Sequence, residues 1–172
     1  MPSMRRPTPP PLSLTARLLQ LWTLRDRDQA WMGWLGLALL ASGVLHIGVQ
    51  LITGDPWAGP VSWRKPIVFG LSGGLTTLSL GWAIGALSAT RWRRITTRAF
   101  VVAMALEVGL ITLQAWRGVA SHFNIATPTD IAVWSAMGVL VGIIAVVVAI
   151  WTVQLWRQRL PCPADHVARR HG

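Results

Sequence analysis

The sequence is poor in several residue types that soluble domains normally use. It contains a single cysteine, Cys162, which excludes an intramolecular disulfide and a CxxC metal site. Charged residues make up 13% of the chain, whereas about 25% is usual in soluble domains. Apolar residues make up 52%. This composition excludes an ordinary soluble domain.

Familiar recognition and catalytic motifs are also missing. No zinc-finger, RNP-like or basic-zipper pattern accompanies the net charge of +10, so we predict no nucleic-acid partner. No GxSxG, HExxH or P-loop pattern occurs either. We therefore predict no catalytic residues and favour a binding protein over an enzyme.

Four apolar blocks dominate the chain. They cover approximately residues 31–53, 66–89, 96–118 and 130–156. A helix needs about 20 apolar residues to cross a bilayer, and loops of about ten residues make neighbouring helices antiparallel. The sequence therefore predicts an all-α polytopic membrane protein whose domain, residues 31–156, is an antiparallel bundle of four transmembrane helices. Thr127 is the predicted N-cap of the last helix, with Pro128 at its first position.

Two blocks carry small residues at spacings of three and four. In the second block these are Gly70, Gly74, Thr77, Gly81, Gly85 and Ser88, and in the fourth they are Ser135, Gly138, Gly142, Ala145, Ala149 and Thr152. Small residues let helix backbones approach closely in lipid. Both faces are therefore predicted to pack helices together.

The flanking segments have a different composition. Residues 1–11 are rich in proline and arginine, do not resemble a cleaved signal peptide, and predict a disordered basic tail. Residues 12–28 predict a short amphipathic helix lying on anionic lipid; the alternative is a cytosolic extension of the first transmembrane helix. Residues 157–172 predict a basic tail.

Charge asymmetry predicts the orientation. Thirteen of the 16 cations flank one side of the blocks and three flank the other. By the positive-inside rule both termini are cytoplasmic. The Ala-, Gly-, Trp- and Arg-rich composition suits a high-GC bacterium, so we predict a bacterial inner membrane. The tryptophans at the block ends predict an aromatic belt on each side. The inner set is Trp31, Trp34, Trp92, Trp151 and Trp156, and the outer set is Trp57, Trp63, Trp116 and Trp134.

A few polar residues lie inside the blocks. His46 and Gln50 share one helix face, and Glu107 and Gln114 share another. A charge at the centre of a transmembrane helix costs about 2.5–3.5 kcal/mol, so Glu107 should face the bundle interior beside a partner. We predict that this partner is His46, bonded directly or through one water. The alternative is a buried pair that only fixes helix register.

The three outer cations are Arg64, Lys65 and Arg117. They predict a site for a small anion or a lipid headgroup near a positive helix end. The alternatives are snorkelling towards phosphate headgroups and ion pairs with Asp55 and Asp130. His122 and Asn124, in the last outer loop, are predicted to fold over this site. The predicted ligand-binding residues are His46, Gln50, Arg64, Lys65, Glu107, Gln114, Arg117, His122 and Asn124.

Two other functions fit the same residues. One is a redox carrier in which His46 and His122 ligate a b-type haem whose propionates meet the outer cations. Its variant is a metal site that uses His46, Glu107 and His122. The second is an accessory or structural subunit that binds a partner membrane subunit, or its own copies, through the small-residue faces.

Two stretches carry a family resemblance. They are residues 63–72, WRKPIVFGLS, and residues 114–124, QAWRGVASHFN. They resemble recurring signatures of small four-helix integral membrane proteins of bacteria whose activity is uncharacterised. The resemblance covers most of residues 31–156 and implies a four-helix fold. It implies no activity, cofactor or catalytic residue.

Overall fold

A computed structural model describes residues 26–159 as four helices joined by loops. They are α1 (Arg27–Thr53), α2 (Arg64–Ile84), α3 (Arg91–Trp116) and α4 (Pro128–Arg159). The predicted all-α four-helix architecture is confirmed. The predicted tail 1–11, most of the predicted interfacial helix 12–28 and the C-terminal tail beyond residue 159 lie outside the described residues. Residues 157–159, predicted as tail, belong to α4.

All four helices are long and apolar enough to cross a bilayer. Their most apolar windows have mean hydropathies between 1.5 and 2.6. Many large apolar side chains on them are exposed, as lipid-facing residues are. The chain is therefore a multi-pass helical membrane protein.

The helix ends carry local signals that define them. The carboxylate of Asp26 accepts hydrogen bonds from two backbone N–H groups in the first turn of α1, and Gly54, with φ of 65°, ends that helix. Thr90 caps α3. Thr127 caps α4 as predicted, because its Oγ1 accepts from the backbone N–H of Asp130 at 3.1 Å. The turn between α2 and α3 begins and ends five residues earlier than predicted. α2 ends at Ile84, and the N-cap Thr90 starts α3 at Arg91.

Glycines bring α1 and α2 into backbone contact. A Cβ added to Gly70 would lie 2.8 Å from the Cα of Gly43, and one added to Gly74 would lie 2.8 Å from the carbonyl oxygen of Gly36. The predicted packing face of α2 is confirmed at Gly70, Gly74, Thr77 and Gly81, which are buried. Sequence reasoning missed the matching glycines of α1. Their spacing of seven residues was the available signal.

The prediction for the small-residue face of α4 is wrong for packing within the bundle. All six of its residues are exposed, and a Cβ added to Gly138 or Gly142 would meet nothing within 4 Å. The opposite face, with Met137, Val147 and Trp151, is buried instead. The large side chains face the bundle interior because they bury more surface and make more dispersion contacts than small ones.

Trp151 shows the consequence for the predicted aromatic belt. Its ring lies 5.4 Å from that of Phe100, and its Nε1 donates to Thr96 Oγ1 at 2.9 Å. Trp151 is therefore a core residue that joins α3 to α4 and not a belt residue. Six other predicted belt tryptophans with exposed rings agree with the prediction. They are Trp31, Trp34, Trp92 and Trp156 at one end of the bundle and Trp57 and Trp116 at the other.

Candidate functional site

We call the end of the bundle that carries the loops 54–63 and 117–127 the rim, and the opposite end the base. At the rim, His46 is buried and both ring nitrogens have partners. Nδ1 donates to the carbonyl of Ser42 at 2.7 Å, and Nε2 accepts from Trp116 Nε1 at 3.1 Å. Trp63 packs against both rings, with centroids 5.8 Å from His46 and 4.9 Å from Trp116. These three side chains form the aromatic floor of the rim.

The loop 54–63 is tied down onto this floor. The side-chain amide of Gln50 donates to the backbone carbonyl of Asp55. Trp63 Nε1 donates to Asp55 Oδ2 at 2.8 Å. Asp55 is exposed and makes no ion pair with any residue in the range 26–159.

Arg117 has an internal partner. Its guanidinium donates to Asp130 Oδ1 at 3.0 Å and to the side-chain oxygen of Gln114. Gln114, fully buried, also donates to Asp130 at 3.2 Å. The alternative of an ion pair with Asp130 is therefore the arrangement found. Arg117 joins α3 to α4, and its charge is largely neutralised within the bundle.

Lys65 and His122 meet through a hydroxyl. Lys65 Nζ donates to Ser121 Oγ at 3.2 Å, and Ser121 Oγ lies 2.9 Å from His122 Nδ1. The ring of His122 stacks on Phe69 with centroids 6.0 Å apart. Burial, and then the positive charge of Lys65, lower the pKa of His122 below its ordinary value. The loop thus folds back over the start of α2, as predicted for His122.

Asn124 serves the loop itself. Its amide donates to the carbonyl of Ala120 at 3.1 Å, and its side-chain oxygen accepts from the backbone of Ala126 at 3.1 Å. These bonds close a turn. Both polar groups of the side chain are therefore hydrogen-bonded within the loop. Asn124 stabilises the loop conformation at the site.

Glu107 is 4% exposed, and neither carboxylate oxygen has a hydrogen-bond partner within the described part of the chain. The predicted direct bond to His46 is wrong. Trp116 occupies the ring nitrogen that Glu107 was expected to contact, because the last turn of α3 brings the indole over His46. Sequence reasoning had assigned Trp116 to the membrane belt. An unpartnered buried carboxyl in a transmembrane helix is a candidate functional group in its own right.

Two adjoining depressions open at the rim. The larger is a cleft of about 280 Å³ whose walls include Asp55, Trp63 and Trp116. The smaller is a narrow crevice beside Lys65 that is too tight to hold a water molecule. Ser62 lines both. The Ser62 side chain is 6% exposed, and its hydroxyl has no hydrogen-bond partner among residues 26–159.

The base holds a buried ion cluster that sequence reasoning missed. Arg93 is 3% exposed and pairs with Asp26 and, at 3.2 Å, with Asp28. Its guanidinium also donates to the carbonyls of Ile84 and Leu87, at 3.2 and 2.9 Å. Arg93 had been counted only as an orientation charge. The sequence signal was the pair Asp26 and Asp28 just before the first apolar block.

The pKa of Asp26 reflects this cluster. Partial burial alone would raise the pKa, but the hydrogen bond and charge of Arg93 and two backbone N–H groups outweigh that effect. The pKa of Asp26 is therefore lowered. The carboxylate form is the one that the fold stabilises.

The described residues offer no ligand cluster for the metal alternative. Across residues 26–159, no three His, Cys, Asp or Glu side chains are grouped as metal ligands would be. His46 already uses both ring nitrogens, so axial ligation would break one of its hydrogen bonds.

The structure thus brings His46, Gln50, Lys65 and His122 to the rim, and turns Gln114 and Arg117 towards Asp130. Comparisons with models of protein families, with curated proteins and with solved structures found no match.

Proposed function

We propose that the rim binds a phosphate-bearing ligand, either a small anion or a lipid headgroup, through Lys65 and Arg64. The observation that carries this proposal is the half-buried Lys65 ammonium, whose one hydrogen-bond partner within the described range 26–159 is a neutral hydroxyl. Within residues 26–159, neither Arg64 nor Lys65 belongs to an ion pair. By contrast, Arg93 and Arg117 are compensated by aspartates.

The backbone supports the same ligand. Trp63, at the N-cap of α2, provides no side-chain hydrogen bond to the first turn. The free backbone N–H groups of a helix start and the positive end of its dipole favour an anion. Arg64 and Lys65 begin this helix, so side-chain and backbone charge add at one place. Two cations without counter-charges at a helix start attract phosphate strongly.

The placement in the cell is part of the proposal. The cation asymmetry of the full sequence supports cytoplasmic termini. The rim then faces the extracytoplasmic side of a bacterial inner membrane, at the depth of the outer-leaflet headgroups. The resemblance of residues 63–72 and 114–124 to small bacterial four-helix membrane proteins supports this origin.

Replacing Lys65 by glutamine is expected to weaken phosphatidylglycerol binding about ten- to hundredfold, because a charged hydrogen bond to phosphate contributes about 1.5–3 kcal/mol. Native mass spectrometry of the detergent-solubilised chain with added lipid measures the bound fraction. Inorganic phosphate, titrated against the same variants, separates a free anion from a lipid headgroup.

The matched control is Arg98→Gln. Arg98 is an exposed cation on α3 near the base, and no ion pair in the described segment includes it. Its loss removes the same charge at a distance from the rim. Equal weakening in both variants, or no change in either, would rule out a specific phosphate site at the rim.

A second candidate is an accessory subunit, or a self-associating one, and the uncovered face of α4 favours it. Gly138 and Gly142 lie on this face with open space around them. In the Gly138→Leu variant the close approach of two helices at this face is blocked. Förster transfer between copies labelled at Cys162, the only cysteine of the sequence, is therefore expected to fall in liposomes. Gly109→Leu, at an equally open position of α3, is the control. An equal fall in both, or in neither, argues against the interface.

A further inference from the structure

The cleft beside the Lys65 crevice has the chemistry of a cation site. Its walls include the Asp55 carboxylate and the indoles of Trp63 and Trp116. Only one carboxylate oxygen of Asp55 accepts a hydrogen bond from a described side chain, the indole N–H of Trp63. Aromatic faces and an uncompensated carboxylate together favour an ammonium group. An anion would instead be repelled from this cleft by Asp55.

The cleft and the crevice are parts of one depression. Ser62 and Ala115 line both, so a ligand that fills one reaches the edge of the other. The Ser62 hydroxyl is buried at this boundary and has no partner among residues 26–159. Leaving a buried hydroxyl unpaired is costly. A ligand oxygen at the boundary would satisfy it.

We infer that the rim binds a zwitterionic phosphoethanolamine headgroup. Its phosphate lies in the cleft at the Ser62 boundary, where Lys65 and Arg64 at the start of α2 attract it and Ser62 donates to a phosphate oxygen. Its ammonium lies against Asp55 beside the indoles of Trp63 and Trp116, which contact each other. In this headgroup only two carbon atoms and the ester oxygen separate nitrogen from phosphorus, so both charges fit adjoining subsites. The inference rests on the proposed phosphate site and adds the ammonium subsite and the ligand class.

The volume and charge of the depression agree with this ligand. A cleft of about 280 Å³ is at the small end of ligand pockets, which span about 300–1,000 Å³. It suits an alkylammonium group and not a large ring system. Lys65 lines the crevice and Asp55 lines the cleft, so each charge of the ligand has an opposite charge on its own side of the Ser62 boundary.

The test compares phosphatidylethanolamine with phosphatidylglycerol on the full chain by native mass spectrometry. The native protein is expected to prefer phosphatidylethanolamine about tenfold. Asp55→Asn keeps the size of the side chain and an acceptor for Trp63 Nε1 but removes the charge. It is expected to abolish this preference: phosphatidylethanolamine binding falls, and phosphatidylglycerol binding rises because a repelling carboxylate is removed. Lys65→Gln is expected to weaken both lipids.

The variants distinguish the ammonium subsite from the phosphate site. If Lys65→Gln weakens both lipids but native protein shows no preference, or Asp55→Asn leaves the preference intact, the ammonium subsite is wrong and the phosphate site stands. If Lys65→Gln affects neither lipid, both are wrong. Free O-phosphoethanolamine is titrated in parallel to distinguish a soluble ligand from a lipid. If it binds with the same dependence on Asp55 and Lys65, the site recognises the headgroup without the lipid tails. Thermal unfolding confirms that each variant is folded.

Discussion

Arg93→Met is expected to lower the free energy of unfolding by about 3–5 kcal/mol, because removing one partner of a buried ion cluster leaves the other charge uncompensated. Arg93 is 3% exposed, and Asp28, which it contacts at 3.2 Å, is 7% exposed. The substitution also strips the carbonyls of Ile84 and Leu87 of a donor. The turn between α2 and α3 and the start of α1 should loosen together.

Unfolding in mild detergent, followed by loss of helical circular dichroism with increasing sodium dodecyl sulfate, measures this effect. Arg94→Met is the matched control. Arg94 is the next residue on α3, is exposed, and forms no ion pair with residues 26–159. A similar stability for the two variants would contradict a structural role for the base cluster.

The same cluster should make stability depend on acid. The pKa of Asp26 is lowered in the folded protein from its ordinary value of 3.8. Its contribution is therefore complete above that ordinary value and is lost as the pH falls below 3.8 through the folded pKa. Asp26→Asn should flatten the acid limb of the stability profile. An unchanged acid limb in that variant would assign the acid sensitivity to other groups.

Gly70→Ala is expected to destabilise the bundle by about 1–3 kcal/mol through overpacking. The new Cβ would lie 2.8 Å from both the Cα and the backbone nitrogen of Gly43, and 3.0 Å from the carbonyl oxygen of Leu39. All three neighbours are backbone atoms of α1, so no flexible side chain can move aside. The two helices must separate along their tightest contact.

Gly48→Ala and Gly109→Ala are the controls for this prediction. A Cβ added at either position meets nothing within 4 Å. Alanine is favoured over glycine in a helix by about 0.5–1 kcal/mol, so both controls should be neutral or slightly stabilising in the same unfolding assay. A Gly70→Ala protein as stable as these controls would mean that α1 and α2 do not rely on backbone contact.

The helices were predictable because their signals are local. An apolar run long enough to span a bilayer, or a Thr-Pro-x-Asp cap before residue 131, acts within a few residues of itself. The early end of α2 was not predictable in this way. From the next helix, the guanidinium of Arg93 donates to the carbonyl of Ile84, the last residue of α2, and to that of Leu87 in the following turn, and sequence spacing alone does not reveal these contacts.

The candidate site was predicted in outline, and its pairings were not. Arg64, Lys65 and Arg117 looked equivalent in the sequence, as three cations at one side. The structure separates them, because Asp130 neutralises Arg117 while the hydrogen-bond partner of Lys65 among the described residues is only a hydroxyl. Glu107 was matched to His46 by depth, but depth along a helix does not specify which way a side chain points around it.

The sequence by itself determined that four apolar helices cross a bilayer and that most of the polar residues inside them gather towards one end, since the bilayer imposes helix length and excludes unsatisfied polar groups. Only the tertiary structure decided which face of α4 is buried, which cations have a carboxylate partner, and that Trp116 and not Glu107 bonds His46. These outcomes depend on side-chain volume and on contacts between residues far apart in the chain, which helical periodicity does not encode.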